Sequence, residues 1–255
     1  MVEGNVLFIT GAARGIGFDI AKAFSESGAK VVLSDLSQQA IDEAVSQLSG
    51  DVSGIVCDVT KEEDIQAAIE FTVKTYGKID ILVNNAGMQH VSFIEEFPTE
   101  KFELLVKIML TAPFIAIKHA MPYMKKQKFG RIINMASING VIGFAGKAAY
   151  NSAKHGVIGL TKVAALESAT DGVTVNAICP GYADTKLVRD QFNDLAKTRN
   201  VEVEQVLEEV LYPLVPQKRL IDVKEITDLA LYMSSESAKG ITGQAIVLDG
   251  GYTAQ

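Results

Sequence analysis

A tyrosine and a lysine four residues apart have the spacing needed for acid–base chemistry. Tyr150 and Lys154 lie in the helix-like segment GKAAYNSAKHG, so their side chains share one helix face about one turn apart. An unperturbed tyrosine has a pKa of about 10, and bringing it to about 7 requires roughly 4 kcal/mol. A cation about 4 Å away at an effective dielectric constant of about 20 contributes on that order. We therefore expect Tyr150 to act as a general acid/base whose pKa Lys154 lowers.

A glycine-rich loop near the N-terminus has the spacing of a dinucleotide-binding site. The first apolar run ends in TGAARGIG, where Gly11, Gly15 and Gly17 would let the backbone approach a pyrophosphate at a helix N-terminus. The next apolar run ends at Asp35, which can accept hydrogen bonds from an adenosine 2′-hydroxyl but would repel a 2′-phosphate. The pattern therefore predicts NAD rather than NADP. Arg14 is the counter-argument, because a guanidinium in this loop could reach a phosphate.

The elements that must position these residues alternate regularly along the chain. The short apolar runs are VLFIT, VVLSD, IVCD, ILVNN, RIINMAS, VTVNAIC and AIVLD, and longer amphipathic segments separate them. Such runs are typical of strands buried on both faces of a parallel sheet, with crossover helices between them. We predict an α/β, doubly wound Rossmann fold, with a seven-stranded parallel sheet and helices on both faces. Loops at the carboxyl ends of the strands would then form the ligand site.

Length and composition favour one large domain. The chain has 255 residues, of which 48% are hydrophobic, and we expect a single Rossmann-fold domain over residues 1–255. Residues at about 185–216 depart from the alternation, because a charge-rich stretch of about thirty residues is a long connection for a compact domain. We interpret this stretch as a helical substrate lid. The alternative is a mere surface excursion.

Charge and terminal sequence favour a small-molecule partner. The net charge of −7, with charges of both signs, argues against nucleic acid and anionic membrane surfaces as partners. The basic segment MKKQKFGR is most simply a solvated turn, although it could contact an acidic partner. No apolar run of about 18 residues is expected to span a bilayer, and the N-terminus MVEGNVLFIT lacks the features of a signal peptide. We therefore expect a cytoplasmic protein.

Cysteines and histidines give no indication of a metal site. Cys57 and Cys179 both fall in apolar runs that resemble strands, which favours reduced thiols in the core. His90, His119 and His155 lack the spacing of metal ligands. We therefore predict no metal in the site.

Five motifs occur in order along nearly the whole chain. They are TGAARGIG, NNAG, Ser137, YNSAK and PGYADT, and through them the sequence resembles the classical short-chain dehydrogenase/reductase family. The resemblance implies that Tyr150 exchanges the hydroxyl proton of a substrate, that Lys154 lowers the tyrosine pKa and binds the nicotinamide ribose, and that Ser137 fixes the substrate oxygen. The positive nicotinamide of NAD⁺ would assist Lys154. The resemblance also implies a homotetramer.

The same resemblance implies further cofactor contacts. Asp58 would bind the adenine amino group, Asn85, Ala86 and Gly87 would line the adenosine ribose, and Thr185 would hold the nicotinamide amide. Alternatively, Asp58 caps the following helix and NNAG is a turn required by packing. The complete predicted cofactor set is Gly11, Arg14, Gly15, Ile16, Gly17, Asp35, Asp58, Val59, Asn85, Ala86, Gly87, Tyr150, Lys154, Pro180, Gly181 and Thr185.

One residue of the family pattern is missing. An asparagine usually stands in the helix before the serine strand and completes a water-mediated proton relay, whereas KIMLTAPF places Met109 there. Our hypothesis is that the backbone carbonyl of Met109 holds the water while the side chain fills the space. The apolar stretch MLTAPFIAIKHAM that begins at Met109 suits either an oligomer contact or a core-facing helix.

A narrower resemblance concerns the substrate. The segments NAGMQH, SING, NAICPGYADTKLV and DGGYTAQ resemble D-3-hydroxybutyrate dehydrogenases, which implies NAD-dependent oxidation of (R)-3-hydroxybutyrate to acetoacetate. Lys147, Gln89 and Gln191 would hold the carboxylate of this hydroxy acid or of its keto acid. The implied substrate set is Gln89, Ser137, Asn139, Lys147, Tyr150, Tyr182 and Gln191.

This chain departs from that branch at three positions. Asn139 replaces a histidine, and Tyr182 and Tyr252 replace tryptophans, so the pocket could bind the carboxylate less tightly or admit a slightly different acid. A solvated surface role for Lys147 also stays open. The alternatives for function are a 3-oxoacyl-acyl-carrier-protein reductase, a diol dehydrogenase, or a dinucleotide-sensing protein without activity.

Overall fold

Seven parallel strands form one sheet at the centre of the protein. The computed structural model describes the backbone of residues 2–254 and their side chains, except those of residues 187, 191 and 194. The strands are β1 (Val6–Thr10), β2 (Lys30–Asp35), β3 (Val52–Val56), β4 (Ile81–Asn84), β5 (Gly130–Met135), β6 (Val173–Pro180) and β7 (Ala245–Leu248). Their order across the sheet is β3-β2-β1-β4-β5-β6-β7. This architecture confirms the predicted doubly wound α/β fold.

Helices cover both faces of the sheet. They are α1 (Gly15–Glu26), α2 (Gln38–Ser46), α3 (Glu62–Tyr76), α4 (Thr99–Val106), α5 (Ala112–Gln127), α6 (Ala148–Ser168), α7 (Lys186–Arg199), α8 (Val203–Val206) and α9 (Val223–Ser234). One apolar layer joins the sheet to α1, α2 and α9, and a second joins it to α3, α5 and α6. In β1, Leu7 and Ile9 belong to the first layer and Phe8 to the second, because successive strand residues point to opposite faces.

The third strand differs from its prediction. β3 begins at Val52 and ends at Val56, so Cys57 follows the strand and does not lie within it as predicted. As an edge strand, β3 pairs only with β2, and its residues are half-buried or, at Val56, exposed. Its sequence VSGIV is therefore less uniformly apolar than the central strands. Cys57 is nevertheless buried with a free thiol, as is Cys179 in β6.

One long helix is apolar enough to be compared with a membrane span. The segment Thr99–Gln127 contains an 18-residue window of mean hydropathy 1.5, so by length and composition it could cross a membrane. In this fold, 44% of the window is buried, and its α5 part belongs to the apolar layer against the sheet. A core-facing helix can therefore have this composition without spanning a bilayer.

The same helix changes its winding beside the candidate site. Residues Lys107–Thr111 form a π turn between α4 and α5, in which the Ala112 N–H donates to the Lys107 carbonyl. Pro113 follows at the start of α5 and has no N–H to donate to the carbonyl four residues earlier, which is that of Met109. A π turn is a common way for a helix to accommodate such an interruption near a functional site.

Candidate active site

The loop between β1 and α1 forms a cradle built from glycine. Gly11 and Gly15 have φ angles of +62° and +61°, which are accessible to glycine at little cost. A Cβ on Gly11 would lie 2.8 Å from the Cα of Ala86, whereas a Cβ on Gly15 would meet no atom within 4 Å. The loop is therefore packed against the segment that follows β4 on one side and open on the other.

The N-terminus of α1 has the properties of an anion site. No side chain caps its first N–H groups, and its first turn carries no acidic residue. By contrast, α9 begins with a capping box formed by Asp222 and Glu225. The uncapped N–H groups, the positive end of the helix dipole and the open face at Gly15 fit a pyrophosphate. Arg14 and Gly15 are exposed at this end, and Ile16 packs against the adjoining apolar layer.

Asp35 lies at the end of β2 beside this loop. Its Oδ2 accepts a hydrogen bond from the Ala13 N–H at 3.1 Å, and its Oδ1 accepts one from the Leu36 N–H at 2.8 Å. The half-buried carboxylate is therefore fixed in direction and retains acceptor positions toward solvent. This geometry fits recognition of a ribose hydroxyl.

The NNAG loop is attached to β1 by hydrogen bonds. Asn85 donates from Nδ2 to the carbonyls of Thr10 and Gly11 at 3.0 and 2.8 Å. The Thr10 hydroxyl accepts from the N–H groups of Asn85 and Ala86, both at 3.1 Å. The side chain of Asn85 thus serves the structure of the loop, while Gly87 is exposed at its tip.

A small cleft lies beside this loop. Val59 and Ala86, both predicted to contact the cofactor, line it together with Ile108 from the π turn. Asp58 borders this region, and its Oδ1 accepts from both the N–H and the hydroxyl of Thr60 at 3.0 and 2.7 Å. The Thr60 hydroxyl is the main cause that lowers the pKa of Asp58. Asp58 therefore stabilises the turn before α3 and remains half-exposed, but it does not cap α3, whose N-cap residue is Lys61 with no side-chain cap, so the alternative interpretation of Asp58 as a helix cap is wrong.

The predicted cofactor residues after β6 lie at the same edge of the sheet. Pro180 ends β6, and a Cβ on Gly181 would lie 3.0 Å from the Cα of Asp249, so the two last strands approach closely here. The Thr185 hydroxyl accepts from the Val188 N–H at 3.3 Å and caps α7. Thr185 therefore has a structural role in addition to its predicted contact with the nicotinamide amide.

The three predicted catalytic residues meet where β5 ends and α6 begins. Ser137 follows β5, and its Oγ accepts from the Asn139 N–H at 3.2 Å, which leaves the hydroxyl proton free to be donated. Tyr150 lies in the first turn of α6, and the Ser137 side chain acts to lower its pKa. The Lys154 ammonium lies 5.5 Å from the centre of the Tyr150 ring and donates to the Met135 carbonyl at 2.5 Å.

The protonation behaviour of the pair differs from the expectation for Tyr150. Burial raises the pKa of Tyr150 above its ordinary value, and the hydrogen bond with Ser137 only partly offsets this effect. Burial lowers the pKa of Lys154 to about 8, while the neighbouring Cys179 acts in the opposite direction. The Lys154 ammonium is directed to the β5 backbone, so the protein groups alone favour a protonated tyrosine at neutral pH.

Met109 occupies a packed position beside the catalytic helix. Its side chain is 1% exposed and belongs to an apolar cluster with Leu105, Ala149 and Ala153, against which Tyr150 packs. The side chain fills the space, as our hypothesis requires. The role of the Met109 carbonyl in holding a water stays a prediction.

Three of the predicted substrate residues lie in the loops that follow β4 and β5. Lys147 directly precedes α6, is half-buried, and has its pKa lowered by burial. Gln89 is half-buried in the loop after β4, and its Oε1 accepts from the His90 N–H at 3.1 Å. Asn139 is buried, 4% exposed, in the short helical turn after Ser137.

The remaining predicted substrate residues lie on the segment that follows β6. Tyr182 contacts Phe192 of α7 and Tyr252 near the C-terminus, with ring centres 6.3 and 6.1 Å apart. These rings belong to an apolar cluster that joins α7 and α8 to the end of the chain. The backbone of Gln191 lies in α7, but its side chain is outside the described residues. Whether this helical segment closes as a lid stays a prediction.

Sequence reasoning missed three residues that shape this site. Thr10 links the glycine-rich loop to the NNAG loop. Asn151 donates to the Ile142 carbonyl at 2.7 Å and holds the loop between β5 and α6 on α6. The ring of Phe144 contacts Lys147. Thr10 and Asn151 are inside the motifs TGAARGIG and YNSAK, so their motif positions were the available signal. The sequence offered no signal for Phe144.

Comparison with known proteins supports the family assignment. A family model described as enoyl-(acyl carrier protein) reductase matches residues 11–253. The chain is 63% identical over 254 residues to an uncharacterised oxidoreductase, YxjF, of Bacillus subtilis, covering 98% of this chain and 99% of that protein. It is 44% identical over 252 residues to a D-beta-hydroxybutyrate dehydrogenase of Rhizobium meliloti, covering 97% of this chain and 98% of that protein.

Solved structures agree with this assignment. An actinorhodin polyketide ketoreductase variant with NADPH superposes with a TM-score of 0.92 at 30% identity, covering 99% of this chain and 98% of that one. The fold, the glycine cradle and the meeting of Ser137, Tyr150 and Lys154 are consistent with these relatives. The chain therefore belongs to the short-chain dehydrogenase/reductase family, oxidoreductases that act on alcohols and ketones with NAD or NADP.

Proposed function

We propose that this enzyme is an NAD-dependent dehydrogenase that interconverts (R)-3-hydroxybutyrate and acetoacetate. The observation that carries this proposal is the position of Lys147, one residue before the helix that bears Tyr150. The lysine is half-buried, and none of the described carboxylates forms an ion pair with it. A partly desolvated ammonium at the start of the helix that bears Tyr150 is suited to a substrate carboxylate. The name of the Rhizobium meliloti relative also supports this substrate.

The catalytic residues would divide the proton chemistry as follows. When bound, the oxidised dinucleotide accepts the hydride that leaves the carbinol carbon of the substrate. Ser137 donates a hydrogen bond from its hydroxyl group to the substrate oxygen and keeps this oxygen beside Tyr150. Deprotonated Tyr150 takes the hydroxyl proton in oxidation, and protonated Tyr150 returns it in reduction. Because burial raises the pKa of Tyr150, we expect the oxidation rate to increase as the pH rises above neutrality.

Asp35 supports NAD as the cofactor. Its carboxylate is fixed by two backbone N–H groups at the end of β2, where the adenosine ribose of a dinucleotide would lie. A 2′-phosphate at this position would face a fixed negative charge. Arg14 is exposed at the open side of the glycine loop, and this position leaves it available to the pyrophosphate.

A reductase of carrier-linked acyl groups is the second candidate, because Lys126 and Lys128 in the basic segment at residues 124–131 are exposed. Such a carrier is acidic, and docking requires unpaired positive charge. Asp171 lies 2.6 Å from Lys128 and 3.4 Å from Lys125, so its carboxylate partly neutralises the segment. This pairing favours the small hydroxy acid over the carrier-linked substrate.

We also propose a homotetramer in the cytoplasm. Several apolar side chains on α5 and α6 are exposed in the single chain, among them Phe114 at 51%, Val163 at 53% and Leu166 at 81%. An exposed apolar face of this kind suits contact with a second copy. Size-exclusion chromatography with light scattering tests this assembly.

The proposed function is tested with the purified enzyme. NADH formation is measured with (R)- and (S)-3-hydroxybutyrate, with NAD⁺ and NADP⁺, for the native enzyme, Lys147→Ala and the control Lys162→Ala. Lys162 is an exposed lysine on the same helix. We expect activity with the R form and NAD⁺, with a raised KM only in Lys147→Ala. Equal activity with both enantiomers, or none with either, would contradict the proposed substrate.

A further inference from the structure

A tight turn places an aromatic ring beside the proposed carboxylate-binding lysine. The Lys147 N–H donates to the Phe144 carbonyl at 3.3 Å, which closes a four-residue turn directly before α6. Gly146 occupies the third position of this turn with φ +78°, a conformation that glycine adopts readily. The Lys147 ammonium lies 4.3 Å from the centre of the Phe144 ring, within the range of a cation–π contact.

The turn is also fixed from outside. The Ser92 N–H donates to the Gly146 carbonyl at 2.9 Å, and Ser92 and Lys147 form an isolated parallel bridge. A Cβ on Gly146 would lie 3.1 Å from Cγ1 of Val91, so the two loops are in close contact. The loop that carries Gln89 therefore supports the turn that carries Lys147 and Phe144.

An aromatic ring affects an ammonium differently from a carboxylate. A carboxylate would hold Lys147 but would neutralise its charge and compete with a substrate anion. A ring face attracts the ammonium and restricts its flexible stem while its full positive charge stays available. The Phe144 ring is 36% exposed, so it stands at the solvent side of the site.

We propose that Phe144 is a specificity-determining positioning residue, whose ring holds the Lys147 ammonium at the exposed end of the loop between β5 and α6. The enzyme therefore prefers a hydroxy acid to an uncharged hydroxy compound of the same shape. This inference rests on the proposed function, because it assumes that Lys147 receives the substrate carboxylate. Phe144 itself touches no reacting atom. Its contribution is therefore expected in KM for the acid and not in kcat.

Steady-state kinetics with a charged and an uncharged substrate test this inference. The substrates are (R)-3-hydroxybutyrate and its methyl ester, and the variants are Phe144→Leu, Phe144→Met and Phe144→Tyr. The control is Phe93→Leu, an exposed phenylalanine on the neighbouring loop. We expect loss of the ring to raise KM for the acid by about three- to tenfold while KM for the ester and kcat stay unchanged. Phe144→Tyr keeps a ring face and should retain the KM of the native enzyme.

The outcomes separate this inference from the proposed function. If the native enzyme has no preference for the acid over the ester, the proposed binding of the substrate carboxylate by Lys147 is refuted by the native enzyme alone. If the native preference exists but Phe144→Leu and Phe144→Met retain it, the positioning role of Phe144 is overturned. Equal changes for acid and ester would likewise overturn it, because they would indicate a structural effect. Two variants without a ring keep the test valid if one of them fails to fold.

Discussion

Replacing Gly17 by alanine should displace the Asn85 side chain and thereby destabilise the glycine-rich cofactor loop. A Cβ at this position would lie 2.4 Å from Nδ2 of Asn85 and 2.6 Å from the Gly11 carbonyl oxygen. The methyl group must displace the Asn85 amide, which donates to the carbonyls of Thr10 and Gly11. The loss of two hydrogen bonds costs about 1 kcal/mol each, and the added strain costs about 1–3 kcal/mol. Together these costs exceed the stabilisation of about 0.5–1 kcal/mol that alanine gives over glycine in a helix.

The expected net loss is about 2–4.5 kcal/mol of unfolding free energy, which lowers the Tm by roughly 4–18 °C for a chain of this size. The NADH dissociation constant should rise as well, because the displaced loop forms the cradle. Thermal unfolding by circular dichroism and a fluorescence titration with NADH measure the two effects.

Two further alanine variants separate strain from binding. Gly159 lies in α6 with no atom within 4 Å of its would-be Cβ, so Gly159→Ala should be neutral or stabilise by up to about 1 kcal/mol. Gly15 also has free space but a φ of +61°, so Gly15→Ala should cost about 1–2 kcal/mol and place a methyl group where the pyrophosphate would bind. If Gly17→Ala retains the native Tm and NADH affinity, the proposed role of the Asn85 contacts is refuted.

Three other substitutions test the charges and packing of the site. Between pH 8 and 10.5 the unfolded chain binds more protons than the folded one at Lys154, so stability should rise with pH. Lys154→Met should abolish activity and flatten this rise. It should also increase the free energy of unfolding at pH 7 by up to about 3 kcal/mol, as measured by thermal unfolding. An unchanged dependence of stability on pH would contradict the lowered pKa of Lys154. Met109→Asn should destabilise by about 1–3 kcal/mol without increasing kcat, since residue 109 lies in an apolar cluster; a large increase in turnover would show that the native arrangement is catalytically impaired. Asp35→Asn removes the charge but keeps the shape, and should reduce the ratio of kcat/KM for NAD⁺ over NADP⁺ by about tenfold; an unchanged ratio would exclude charge repulsion as the basis of selectivity.

The central strands were predictable because of their burial. β1, β5 and β6 are covered by helices on both faces, so every residue in them is buried, apolar residues predominate and the runs stand out. β3 lies at the sheet edge, where partial exposure permits serine and glycine, and its predicted bounds were shifted toward Cys57. The π turn could not be predicted from the apolar pattern of residues 109–121, since it depends on how Pro113 is accommodated beside α6.

The electrostatics of the catalytic pair depend on contacts that helix spacing does not reveal. The four-residue separation places Tyr150 and Lys154 on one face, but the lysine stem bends toward the Met135 carbonyl on β5. The pKa of Tyr150 is therefore determined by burial and by Ser137, and not by a nearby protein cation. Likewise, the ring of Phe144 reaches Lys147 because Gly146 permits a turn, and neither composition nor periodicity indicates that contact.

The hydrogen bonds from the Asn85 side chain to the carbonyls of Thr10 and Gly11 have a consequence for the kinetics of cofactor binding. Since hydrogen bonds inside the protein already define the glycine cradle, a dinucleotide that arrives there does not need to order the loop, and little conformational entropy is lost. Association at this end should follow a single exponential whose rate is proportional to dinucleotide concentration, without a slower isomerisation phase. Differences in affinity among dinucleotides should then come mainly from differences in their dissociation rates.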